Sequence, residues 1–164
     1  MKQNGLKRVI LLAILIAVNV GIARIFLIPL PMTHGNINLC DAGIFIAALL
    51  LGRSAGALVG GLSGLLLDLI SGFPQYMLFS LVVHGLEGYL AGRIGERATK
   101  YSAWIGLFVG IVVMVGGYLL SDSLMYTFAT GIVGVPLNIV QGFAGAFVAL
   151  PVYYRLGSRV FSSR

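Results

Sequence analysis

Long apolar stretches recur from one end of this chain to the other and leave little between them. Six can be marked, at about 6–28, 38–52, 54–71, 76–97, 102–121 and 133–156. About 20 apolar residues cross the hydrocarbon core of a bilayer as a helix, whose backbone hydrogen bonds are all internal. The pattern predicts an all-α integral membrane protein, a single domain over residues 1–164 built as a six-transmembrane-helix bundle. Composition agrees. Only 10% of the residues are charged and 59% are hydrophobic, where a soluble domain carries roughly 25% charged residues. The first apolar run, Val9 to Leu30, is broken only by Asn19 and Arg24. It exceeds the roughly 7–15 apolar residues of a signal peptide and is read as a retained span. Leu39 precedes the lone Cys40 where a lipid-anchor signal needs a small residue, so Cys40 is read as a small apolar residue at a helix start.

Charge sets the expected orientation. Of the eleven Lys and Arg residues, all but Arg24 fall on one side of a chain that crosses six times. Lys and Arg mark the cytoplasmic side, so both termini are expected inside. The loops at 29–38, 71–76 and 121–134 would then face out. The net charge of +6 is thereby a topology signal and gives no reason to expect a nucleic-acid partner.

The second span is short. Asp41 to Leu51 makes about 16 Å of helix against a hydrocarbon core of about 30 Å. It follows a polar knot, "PMTHGNINLCDAGIF", residues 31–45. Irregular backbone at membrane depth is tolerated where it is buried in protein or lines a wet cavity. The segment "THGNINLCD" is therefore expected to descend into an outward-facing cavity.

Polar groups inside a bilayer are costly and usually functional. Arg24, Asp68, His84, Glu87, Tyr118, Asp122, Asn138 and Gln141 all count into the outer half or near mid-membrane. His84 with Glu87, and Asn138 with Gln141, are spaced i, i+3, so each pair shares a helix face. Facing each other, they would line a cup with few polar groups on apolar walls. Tyr76, Tyr118, Tyr126 and Phe79 are placed to stack on a ring, which suits a small heteroaromatic ligand with hydroxyl or amine groups. Plainer roles stay open. Glu87 can pair internally with His84 or Arg24, the amides can bond across helices, and Tyr residues near helix ends often anchor at the interface.

Enzyme chemistry finds little support. With two histidines in the chain and no HExxH motif, no metal site is expected. No nucleophile elbow or Walker A is present, and no cofactor is expected. Energy for uphill movement would have to come from a partner or an ion gradient. Two small-residue ladders suggest close helix contacts. Gly56, Gly60 and Gly64 belong to a middle helix and are expected inside the bundle. Ala13, Ala17 and Gly21 lie on an end helix, where either internal packing or a partner fits.

The stretch "MTHGNINLCDAGIFIAALLLGRSAGALVGGLSGLLLDLISGFPQYMLFSLVVHGLEGYLAG", residues 32–92, resembles the S components of energy-coupling factor (ECF) vitamin transporters, in the riboflavin- and hydroxymethylpyrimidine-type subgroup. The resemblance implies a multi-pass protein of a prokaryotic plasma membrane that binds a water-soluble vitamin or precursor from outside. It implies a membrane coupling subunit (the T component) and two cytoplasmic ATPases as partners, docked through Ala13 and Ala17 with Gly21 on the same ladder. It makes His34, Gly35, Asn36 and Asn38 a lid with Asp41 at its hinge. Asp68, His84, Glu87, Tyr118, Asn138 and Gln141 would complete the ligand site. A small ring such as hydroxymethylpyrimidine or pyridoxine is the favoured cargo, with riboflavin and cobalamin open. An autonomous ion-coupled transporter is the competing function; it would need an inverted repeat or a polar through-path, and neither is evident.

Overall fold

The computed structural model describes residues 2–29, 36–96 and 101–161. His34 and Gly35 fall outside them. Six helices follow in order: α1 (Lys2–Ile25), α2 (Cys40–Leu51), α3 (Arg53–Ser71), α4 (Met77–Gly95), α5 (Ser102–Met125) and α6 (Phe128–Phe161). A minimal ladder, β1 (Ile28–Pro29) with β2 (Asn36–Ile37), joins α1 to α2. It is antiparallel, with Ile28 opposite Ile37 and Pro29 opposite Asn36.

Among the described residues, four helical segments are long and apolar enough to span a bilayer alone: Gly5–Ile25, Arg53–Ser71, Ser102–Met125 and Phe128–Leu156. The arrangement is a helical membrane bundle with its polarity turned inward. Ile14, Leu78, Phe108 and Phe147 lie on its exposed surface, while Asp41, Asp68, His84, Glu87 and Gln141 are buried.

Helix α2 has 12 residues, about 18 Å of rise. Its shortness is explained by its place. It packs on α1, α3, α4 and α6, and nine of its residues, including Asp41, Ile44 and Phe45, are buried. A helix walled in by protein has no need to reach both membrane surfaces. Phe45, Ala48 and Leu49 join Leu107 and Ile111 of α5 and Ala149 of α6 in the largest apolar cluster.

The glycine ladder of α3 packs internally, as its position suggested. A Cβ on Gly56 would stand 2.7 Å from Ala48 Cβ and against the Gly88 carbonyl. One on Gly64 would stand 2.7 Å from His84 Cδ2. Small residues let α3 and α4 approach to backbone contact, and this sets the depth at which α4 holds His84. Gly72 closes α3 with φ of 85°, a left-handed cap that glycine adopts without strain.

The α1 ladder behaves differently. Ala13, Ala17 and Gly21 are exposed, and a Cβ added to Gly21 meets nothing within 4 Å. Helix α1 packs on α2 and α3 through Leu12, Asn19 and Ala23 instead, all buried.

Several boundaries differ from expectation; α1 starts earlier, at Lys2, and α6 ends later, at Phe161. The connection expected at 121–134 shrinks to residues 126–127, because α5 runs on to Met125 and α6 starts at Phe128 rather than at 133. Thr127 Oγ1 accepts the Thr130 N–H at 3.2 Å, the side-chain cap that starts a helix. Helix α1 stops at Ile25 instead of about 28, since Ile28 and Pro29 are taken up by the strand pair.

Candidate functional site

A hollow opens at the end of the bundle that carries the α1–α2, α3–α4 and α5–α6 connections. Counting its open mouth and the solvent space there, about 590 Å³ is free of protein atoms. Each wall comes from one helix face. Gly64, Leu67 and Asp68 lie on α3 at spacings of three and four. Tyr118 and Asp122 lie on α5, and Gly134, Asn138 and Gln141 on α6. His84 comes from α4, Phe73 and Tyr76 from the turn before it, and Asn36 and Asn38 from the segment leading into α2.

The segment before α2 is pinned by its own side chains. The Asn38 backbone N–H donates to Gln141 Oε1 at 3.0 Å. Asn38 Oδ1 accepts the Cys40 N–H at 2.8 Å, and Asn38 Nδ2 donates to Asn36 Oδ1 at 2.8 Å. Asn19 of α1 donates to the Cys40 carbonyl at 3.1 Å. The irregular backbone expected to descend into a cavity thus does so at Asn36 and Asn38. Cys40 is the buried first residue of α2, as read from its neighbours.

A chain of hydrogen bonds forms the floor. His84 Nδ1 lies 2.6 Å from Glu87 Oε2, and Nε2 lies 3.0 Å from Tyr118 OH. Tyr118 OH and Ser80 Oγ are 2.6 Å apart. Both ring nitrogens are therefore engaged, which fixes the orientation of the imidazole. On the wall above, Tyr76 OH donates to Asp122 Oδ1 at 2.5 Å. Tyr118 stands edge-on to His84, with ring centroids 5.5 Å apart.

Seven of the ten expected ligand-site residues line this hollow, namely Asn36, Asn38, Asp68, His84, Tyr118, Asn138 and Gln141; His34 lies outside the described residues. The remaining two are not on its wall. Glu87 and Asp41 are fully buried and sit behind His84, off the wall. Glu87 holds the imidazole, and Asp41 Oδ1 lies 3.5 Å from the same Nδ1. Packing of α2 against α4 puts an acid from each helix behind one histidine. Of Glu87's alternative partners His84 is the one found; Arg24 is exposed. Tyr126 packs on Tyr76 with centroids 6.4 Å apart, and neither it nor Phe79 is on the wall.

Sequence reasoning missed Gly64, Leu67, Phe73 and Gly134. A helical face drawn through Asp68 would have found Gly64 and Leu67; Phe73 carries no such signal. It also missed the grouping of Asp41, His84 and Glu87, whose ligand-type atoms lie within 4.8 Å of one another. Asp41 is distant in the chain, so motif spacing could not reveal the cluster.

Comparison with known proteins extends the picture along the chain. The family model described as "ECF-type riboflavin transporter, S component" matches residues 3–157. The "Thiamine precursor transporter HmpT" of Lactococcus lactis subsp. cremoris (strain MG1363) is 42% identical over 161 residues, covering 96% of this chain and 93% of that protein. The "Uncharacterized protein in gap 3'region" of Pyrococcus woesei is 32% identical over 134 residues, covering 81% and 90%. The family match runs through all six helices and not the glycine-rich middle alone, so the chain belongs to the S components of ECF transporters, multi-pass substrate-binding subunits that are not enzymes.

Proposed function

We propose that this S component captures a hydroxymethylpyrimidine-type thiamine precursor from outside the cell and delivers it through a membrane coupling subunit driven by two cytoplasmic ATPases. The observation that carries the reading is the 42% identity to the thiamine precursor transporter across 96% of the chain. The chemistry of the hollow supports it. Asn138, Gln141, Asp68 and Asp122 offer hydrogen bonds at several depths, and Phe73, Tyr76 and Tyr118 offer ring faces. A small ring bearing an amine and a hydroxyl can use both. The proposed orientation rests on charge. Arg53 and Arg93 lie at the helix ends remote from the hollow, and that end is read as cytoplasmic.

Riboflavin is the second reading, favoured by the description of the matching family. Mass spectrometry of small molecules retained by the gently purified chain separates the two. A mass corresponding to hydroxymethylpyrimidine is expected; retained riboflavin would overturn the cargo assignment. Asn138→Ala should then weaken binding of the retained molecule by roughly 10-fold, the scale of one buried hydrogen bond. Unchanged affinity would remove Asn138 from the site.

Gln141→Ala tests the lid. It removes the acceptor that holds the Asn38 backbone and so frees the segment above the hollow. The ligand dissociation rate should rise by about 10-fold while the association rate changes little. Stopped-flow fluorescence measures both; an unchanged dissociation rate would show that this bond does not hold the lid closed.

A further inference from the structure

The described lining of the hollow is acidic and carries no Lys or Arg to balance an anion. Asp68 and Asp122 are on its wall, and neither Lys nor Arg is among its described lining residues. The sequence 30–35, LPMTHG, supplies none either. Arg24, at the same end of the bundle, is exposed and off the wall. The histidine among the described lining residues, His84, has one ring nitrogen against Glu87 and the other against Tyr118; the chain's other histidine, His34, lies outside the described residues. Behind it stand Asp41 and Glu87, both fully buried. Asp68 Oδ2 is buried with no hydrogen-bond partner among the described residues, which leaves an acceptor waiting for a donor. The start of α2, which would otherwise attract an anion, is blunted from within. Its first N–H is taken by Asn38 Oδ1, and Asp41 occupies its first turn.

From this we infer that the hollow selects the unphosphorylated, hydroxyl- or amine-bearing form of its cargo and rejects the phosphate ester of the same molecule. The inference builds on the reading of the hollow as the cargo site but not on which cargo it takes. A phosphate monoester carries close to two negative charges near neutral pH. In this hollow it would lose its hydration, find no Lys or Arg among the described lining residues, and face two carboxylates from α3 and α5. Burying an unpaired charge costs far more than burying a hydroxyl that finds an acceptor. A cargo phosphorylated after release could not be recaptured.

The test uses the full chain in lipid nanodiscs, freed of bound ligand, and three matched pairs: hydroxymethylpyrimidine, pyridoxine and riboflavin, each with its phosphate monoester. Titration calorimetry near neutral pH reads every affinity. One alcohol should bind, with its ester weaker by about 100-fold or more, the scale of like charges brought together in an interface. Which alcohol binds decides the cargo. The gap between that alcohol and its ester decides the inference, and a gap of about 10-fold or less overturns it. If no compound binds, both the cargo reading and the inference fall. Asp68→Asn and Asp122→Asn should each narrow the gap by about 10-fold by removing one like charge. A gap unchanged in both folded variants would mean that shape alone excludes the ester, and would overturn the role given to these carboxylates. Should a variant not fold, the pair comparison on the unaltered chain still decides.

Discussion

Replacing Ala17 with tryptophan should abolish uptake and leave ligand affinity within about twofold of the unaltered chain, as expected for a site remote from the hollow. Ala13, Ala17 and Gly21 form a small-residue stripe on the exposed side of α1. Small residues at such spacing let a partner helix approach to backbone distance in lipid, where packing and not water exclusion drives association. An indole on that stripe would hold the partner off. It would disturb little inside the bundle, because the buried side of α1 is carried by Leu12, Asn19 and Ala23. Uptake of labelled ligand by cells that also express the coupling subunit and ATPases measures the first quantity, and calorimetry on the purified chain the second. Co-purification of the ATPases should be lost with uptake. Normal uptake by both Ala13→Trp and Ala17→Trp would remove α1 as the docking face.

Gly60→Val should have the largest effect on the fold, about 3 kcal/mol or more, the upper range for forcing extra carbons into a packed interior. A Cβ at Gly60 would press on the His84 carbonyl and stand 3.2 Å from Ile44 Cγ2. The obstacle is backbone, so no rotamer change relieves it. The valine would push α4 from α3 and carry His84 away from Tyr118, so binding should fail together with stability. Gly60→Ala should already lower the melting temperature. Gly21→Ala, with nothing within 4 Å of the new carbon, should not lower it. Equal melting temperatures for Gly60→Val and the unaltered chain would show that the α3–α4 contact is not close-packed.

Much of the bundle can be read without coordinates because lipid imposes a one-dimensional rule: each crossing must be an apolar run of sufficient length. That rule marks α1, α3, α5 and α6 with little ambiguity. It misjudges the start of α6, where the Thr127 cap outweighs a polar, glycine-containing stretch. It says nothing of the β1–β2 ladder, whose two short strands leave no periodic signature. Among site residues, the amides and Tyr118 are visible as polar groups where apolar ones are expected. Phe73 is invisible, since an aromatic residue in a short connection looks the same whether it faces a ligand or lipid.

Glu87 shows where sequence reasoning stops. Its spacing from His84 places the two on one face of α4, and that holds. Spacing cannot say which of them meets the cavity and which supports the other, because that depends on how deeply α4 sits against α2 and α5. Hydropathy along the chain determined that this protein is a membrane bundle, and charge led to the expectation that its basic residues, Arg24 excepted, gather at one end and its scattered polar groups toward the other. Tertiary packing alone decided that α2 is enclosed, that Asp41 and Glu87 stand behind His84, and that the stripe on α1 is left uncovered. The reason is physical: the cost of placing apolar and charged groups in lipid is set residue by residue, whereas facing and depth are set by contacts between helices far apart in the chain.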